Sequence, residues 1–165
     1  MTERTLVLLR HAKAERPAGT ADVDRPLTAR GHADAAAAGA WLAHHSLLPG
    51  EVICSPAKRT RQTWHGVALA LGGPAPEVRY EPLMYGGTAR ELLTLIRGTA
   101  EGTDTVLVIG HNPTISDLSG LLDPAAALDS DGLRTSGLAV HRFDSSWADI
   151  EPGKAALADT HTARG

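Results

Sequence analysis

The chain has 165 residues, 42% of them apolar and 21% charged, with a formal net charge of −3. These proportions fit one ordinary globular domain with a sizeable core, and they give no reason to expect generic nucleic-acid binding. A single cysteine, Cys54, excludes an intrachain disulfide and a cysteine-based zinc cluster.

No apolar run approaches the length of a membrane span. Met1–Arg4 leads only into a strand-length apolar run, so neither a membrane partner nor a secretory signal is expected. The expectation is one cytoplasmic domain over residues 1–165. Its core is built from Leu, Val, Ile and Ala, because only 4% of residues are aromatic.

Strand and helix signals then alternate along the chain. Thr5-Leu6-Val7-Leu8-Leu9 is a continuous apolar run, as expected of a strand covered on both faces. Ala14 to Asp24 reads as a loop. Thr28 is placed to cap a helix through the Ala-rich stretch to about His45, ended by Pro49-Gly50. Glu51-Val52-Ile53-Cys54 is a second strand, followed by Ser55-Pro56, where a capping oxygen and a first-turn proline predict a helix start.

A third strand is expected at Glu77 to Tyr80. Thr88-Ala89-Arg90-Glu91 has the capping-box pattern and opens a helix with Leu92, Leu95 and Ile96 inward and Gly98 at its end. Thr105 to Ile109 is the clearest strand, and Asn112-Pro113 repeats the cap-plus-proline device before Ile115, Leu118 and Leu122. Gly137 to Phe143 alternates weakly, as an edge strand paired with Ala155 to Leu157 would. The tail from about Asp159 carries no pattern.

Three strand stops carry the polar chemistry: Arg10-His11, the Ser55 to Thr63 segment with Arg59, and Gly110-His111-Asn112-Pro113. In open α/β sheets ligands collect at the carboxyl ends of strands. Two guanidiniums and two imidazoles converging there make a phosphate pocket with its own nucleophile. Arginine suits the charge spread over phosphoryl oxygens, because its planar fork binds two of them and stays charged. A histidine nucleophile must instead be neutral, and nearby guanidiniums favour that state.

These blocks and their order resemble the histidine phosphatase superfamily, which the phosphoglycerate mutases share. Asp24-Arg25-Pro26-Leu27-Thr28-Ala29-Arg30-Gly31 resembles its SixA-type phosphohistidine phosphatase branch. The likeness runs from about Leu6 to Leu122, with a weaker echo in Thr135 to Phe143. It implies a three-layer α/β/α sandwich around a mostly parallel central sheet.

By the same resemblance, His11 is the nucleophile that becomes a transient phosphohistidine. Arg10 and Arg59 clamp the phosphoryl oxygens, and His111 donates to one of them. The implied scheme needs no metal and no cofactor. Substrates would be a phosphohistidine-bearing protein or a small phosphorylated molecule, and a non-catalytic phosphate-binding regulator is the alternative outside enzymology.

Lys13 and Arg25 are two further substrate-binding candidates. Lys13 at the rim competes with plain solvation, and Arg25 competes with a structural ion pair to Asp22 or Asp24. His32, His44, His45, His65, His141 and His161 are expected at the surface. Cys54 before Arg59 is one residue short of the Cys-x5-Arg spacing of cysteine phosphatases, so it reads as a buried apolar residue.

The middle block informs the substrate. Mutase-like members carry a glutamate there as general acid, but Gly86 occupies the corresponding place and Glu81 is out of register. An alkoxide, whose conjugate acid has a pKa of about 16, needs such a proton. The imidazole of a phosphohistidine protonated on its other nitrogen, with a conjugate-acid pKa of about 6.5, leaves without one. The missing acid therefore favours P–N substrates, unless the Ala14 to Asp24 loop supplies a carboxylic acid.

Overall fold

The computed structural model describes residues 3–126, 128 and 130–165, so Met1 and Thr2 of the N-terminal lead lie outside them. Its strands are β1 (Arg4–Arg10), β2 (Glu51–Cys54), β3 (Glu77–Tyr80), β4 (Thr105–Gly110), β5 (Gly137–Phe143) and β6 (Ala156–Thr162). The helices are α1 (Ala29–His44), α2 (Lys58–Leu71), the single turn α3 (Leu83–Gly86), α4 (Ala89–Arg97) and α5 (Thr114–Leu122). The strands form one sheet in the order β3-β2-β4-β1-β5-β6. The first four are parallel, and β5 and β6 are each antiparallel to the strand before them in that order.

The period of two along each strand divides the core into two layers. Leu6, Leu8, Val106 and Val108 meet Leu92, Ile96, Ile115, Leu118 and Leu122 of α4 and α5. Val7, Leu9, Leu107 and Ile109 meet Ala38, Leu42, Trp64 and Val67 of α1 and α2 on the other face. Helices thus cover both faces of a mostly parallel sheet, which is the expected three-layer sandwich. Each fully buried Leu in these layers contributes roughly 2 kcal/mol of transfer free energy.

Strands β1 and β4 are neighbours, with Arg10 beside Gly110, yet their following helices leave toward opposite faces. Such a divergence opens a crevice at the carboxyl ends of the two strands. His11 and His111 are the first residues beyond those ends.

Several local expectations hold. Thr28 caps α1 through Gly31 N–H, the Thr88–Glu91 capping box is complete, and Gly98 follows α4. Others fail for tertiary reasons. Helix α2 begins only at Lys58, with Ala57 at the cap and no side-chain cap bond, and the Ser55 hydroxyl is shared between Ala57 N–H ahead of the helix and His111 Nε2. Helix α5 begins at Thr114. The Asn112 amide serves Leu133 O and Ser116 Oγ instead of the helix N-terminus. On α4 the fully buried trio is Leu92, Leu93 and Ile96, with Leu95 only partly covered.

Strand β5 is not an edge, since it lies between β1 and β6. The tail that lacks a sequence pattern forms that edge: β6 runs to Thr162, Ala163 is buried, and Gly165 N–H reaches Asp34 Oδ1 at 2.9 Å. The pairing expected from Ala155 to Leu157 is the start of β6, and edge strands exposed along most of their length need no apolar periodicity, so the rest of β6 gave no signal. His141 is a further correction. It lies fully buried on β5, with Nδ1 bonded to Ala155 O at 2.9 Å and Nε2 to Ser119 Oγ at 2.8 Å. No helix among the described residues is long and apolar enough to cross a membrane.

Candidate active site

Backbone bonds stitch the three strand ends together before any side chain acts. His11 N–H donates to Gly110 O at 3.1 Å, and Ser55 N–H donates to Ile109 O at 3.1 Å. The segment after His11 is fixed next: Ala12 N–H donates to Thr63 Oγ1, whose hydroxyl donates to Arg59 O. Leu27 N–H donates to Gln62 Oε1 at 2.8 Å. The Arg-x-x-Gln-Thr motif on α2 therefore has a division of labour, with Arg59 facing the crevice and Gln62 and Thr63 holding the loop opposite. At Gly31 a Cβ would lie 2.1 Å from Lys13 O, so only glycine lets α1 approach that segment.

Arg10, His11, Lys13, Arg16, Arg25, Arg59, His111 and Thr135 are among the residues around a cavity of about 290 Å³. All six residues expected at the site are brought together there. His11 and His111 have ring centroids 5.4 Å apart.

His11 is buried and its Nδ1 lies 2.7 Å from Ala12 O. A carbonyl oxygen only accepts, so Nδ1 carries the proton, and the neutral ring keeps its lone pair on Nε2. Burial, with further help from His111, Arg59 and Arg10, pushes the pKa of His11 down to about 3. It is uncharged at neutral pH.

His111 is oriented by a group that the sequence did not reveal as functional. Its Nε2 lies 2.8 Å from Ser55 Oγ, which also accepts from Ala57 N–H at 3.3 Å. Ser55 therefore has its proton available for Nε2, which leaves His111 Nδ1 as an N–H donor. Burial and Arg59 push the His111 pKa down to about 4.

Five buried side-chain polar atoms among the described residues lack a hydrogen-bond partner, and three belong to this cavity: Arg10 Nε, Arg59 Nε and His111 Nδ1. Buried donors are rarely left unpaired. Three donors unpaired around one cavity define a place for an anion rich in acceptors.

The outer end of Arg59 is occupied at both terminal nitrogens, and that of Arg10 at Nη1. Arg10 Nη1 donates to Leu133 O at 3.1 Å. Arg59 donates from Nη1 to Asp22 O at 2.7 Å and from Nη2 to Asp22 Oδ2 at 3.0 Å.

Asp22 and Tyr85 are site residues that sequence reasoning missed. Asp22 also receives Arg25 Nη1 at 3.0 Å and the Tyr85 hydroxyl at 2.6 Å. Tyr85 stands edge-on to His111, with centroids 5.6 Å apart. Arg25 thus both lines the cavity and forms the ion pair weighed for it. Lys13 is exposed at the rim.

Tyr85, Arg25 and Arg59 hold the Asp22 carboxyl well below the usual carboxylate range. Asp22 is therefore a carboxylate at neutral pH, not an acid. At Gly86 an added Cβ would meet nothing within 4 Å, and no left-handed φ is required. Cys54 is buried behind the strand end, and burial pushes its thiol up to about 12, so it offers no thiolate.

Residues 6–84 match the model of the histidine phosphatase superfamily, branch 1. An uncharacterized protein of Mycobacterium tuberculosis is 39% identical over 163 residues, spanning 94% of this chain and all of that one. Among solved structures, a candidate phosphohistidine phosphatase SixA from Nakamurella multipartitia superposes with a TM-score of 0.83 at 35% identity, covering 99% of this chain and 98% of the other. The protein histidine phosphatase SixA complexed with tungstate gives a TM-score of 0.81 at 25% identity, covering 96% of each. The chain belongs to the histidine phosphatase superfamily.

Proposed function

We propose that this protein is a phosphatase that hydrolyses the P–N bond of phosphohistidine on proteins, through a phosphoryl group carried transiently on His11. The unpaired donors of Arg10, Arg59 and His111 around one cavity beside a neutral imidazole carry this reading. His11 Nε2 attacks phosphorus, and the substrate imidazole, already protonated on its other ring nitrogen, leaves as neutral imidazole with the electron pair of the broken P–N bond. Water then attacks the phosphoryl group, the P–N bond to His11 breaks, and inorganic phosphate and neutral His11 result.

Arg10 and Arg59 bind the equatorial oxygens through their Nε–H groups, and His111 donates from Nδ1. Charge in the transition state is met by fixed donors that need no reorganisation. Two guanidiniums and an N–H supply the role that a cation would fill, so the reaction is metal-independent. Lys13 and Arg25 extend the positive rim toward the substrate body.

The P–N preference rests on proton supply. Gly86 stands where an acid is needed for alkyl esters, and Asp22 is held ionised by its three partners. The leaving group must therefore depart without a proton from the enzyme, as an imidazole protonated on its other ring nitrogen does.

The test compares phosphohistidine protein, phosphoramidate and a phosphoserine peptide. The expected order is phosphohistidine and phosphoramidate well above phosphoserine, by about 10²- to 10⁴-fold in kcat/KM. Equal values for phosphoserine and phosphohistidine peptides of matched sequence would remove the chemical basis for the substrate. Turnover confined to small phosphates points to a metabolite, and binding without turnover to a regulator. Dialysis against a chelator leaves activity unchanged; recovery that requires a divalent ion would refute metal independence.

A further inference from the structure

Asp22 lies on a short 3-10 turn, Asp22–Asp24, with its side chain about half exposed. Nothing in the apolar core demands a carboxylate there. It nevertheless gathers four contacts from three separate parts of the chain. Arg59 of α2 places both terminal nitrogens on it, one on the backbone oxygen and one on Oδ2. Tyr85 of α3 donates to Oδ2, and Arg25 of the loop donates to Oδ1.

The consequence for Arg59 is geometric. A guanidinium has two bidentate edges, one between its terminal nitrogens and one that includes Nε. Asp22 takes the first and leaves the second, with Nε buried and unpaired in a residue that lines the cavity. Arg10 shows the same division, with Leu133 O at its end and Nε unpaired. A backbone oxygen anchors one clamp, and a carboxylate anchors the other.

We infer that Asp22 is a positioning residue for the phosphoryl transfer proposed above, on which this inference rests. It turns the Nε edge of Arg59 toward the phosphoryl oxygens and uses Tyr85 to hold its own carboxylate in place. Asp22 touches no substrate atom in this role. Its negative charge also opposes anion binding, so it acts on the transition state through Arg59 while adding nothing to the affinity for free phosphate.

This predicts a split between kcat and binding. In Asp22→Ala, kcat with phosphoramidate falls about tenfold, as for a misaligned catalytic group. The Kd for inorganic phosphate, measured by calorimetry, stays the same or tightens. Asp22→Glu returns the carboxylate and recovers part of kcat. Tyr85→Phe lowers kcat about threefold in the wild-type background and has no further effect in Asp22→Ala, since the two act as one unit.

An unchanged or raised kcat in Asp22→Ala overturns the inference, the raised value marking the carboxylate as a competitor of phosphate. Loss of phosphate affinity in step with kcat, or additive effects of the two substitutions, also overturns it. A wild-type protein without turnover fails the phosphatase reading and this inference with it. An active wild type matched by Asp22→Ala fails the inference alone.

Discussion

Two histidine environments in this molecule, the buried His141 and the buried His11 with its half-buried neighbour His111, differ in what their nitrogens do. His141 sits in β5 with both ring nitrogens bonded, one to Ala155 O and one to Ser119 Oγ. His11 and His111 sit at the ends of β1 and β4, and each has one nitrogen held by the protein and the other without a protein partner. Burial lowers the pKa of all three. A depressed pKa alone therefore does not distinguish a site from a core. The distinguishing feature is an open nitrogen beside unpaired guanidinium donors in a cavity.

The strongest challenge to this contrast is His11→Ala. Removing the nucleophile should cut kcat by about 10⁴-fold or more with the fold retained. Brief exposure of the wild type to labelled substrate should place phosphate on His11, as mapped by mass spectrometry. Substantial turnover by the alanine variant breaks the assignment.

Arg59→Ala comes next, with a loss of about 10²- to 10³-fold, as for removal of an oxyanion-stabilising donor. Arg59→Lys keeps the charge without the fork and should lose less. Equal losses would mean that charge contributes nothing by itself. Ser55→Ala frees His111 Nε2 and should lower kcat per folded molecule about tenfold, with a stability loss of about 1–3 kcal/mol because Ala57 N–H also loses its acceptor.

His141→Leu should show the opposite pattern. It leaves Ser119 Oγ and Ala155 O without their imidazole partner, costing about 1–3 kcal/mol of stability. Activity per folded molecule should stay within about twofold of wild type, since His141 lies apart from the cavity. A large loss of kcat without loss of stability would erase the distinction between the two environments.

The smallest effect is on the pH dependence of stability. The folded pKa of His11 is depressed to about 3, so below pH ~6.5 the unfolded chain binds a proton that the folded chain refuses. Stability is therefore complete above that value and declines as pH falls toward the folded pKa. His111, near 4, adds in the same direction. His11→Ala should remove about 1–2 kcal/mol of the stability loss between pH 7.5 and pH 5, read as a flatter melting-temperature profile.

Apart from Arg25, which the SixA-type resemblance supplied, the strands β1 to β4, the capped helices α1 and α4, and the polar residues expected at the cavity are legible in the sequence. These depend on local signals: continuous apolar runs, cap residues, and polar residues at strand stops. Only the tertiary structure decided what side chains with competing partners would do. Ser55 and Asn112 have good capping chemistry for the helices that follow them, yet His111 shares one, and Leu133 and Ser116 claim the other. Asp22 reads as a loop aspartate until α2 and α3 bring Arg59 and Tyr85 to it. His141 reads as surface until β6 covers β5. Local propensity reports which bonds a residue is able to make with its neighbours in sequence. Which bond forms depends on the partners that folding brings within about 3 Å, and residues distant in sequence carry no signal of that distance.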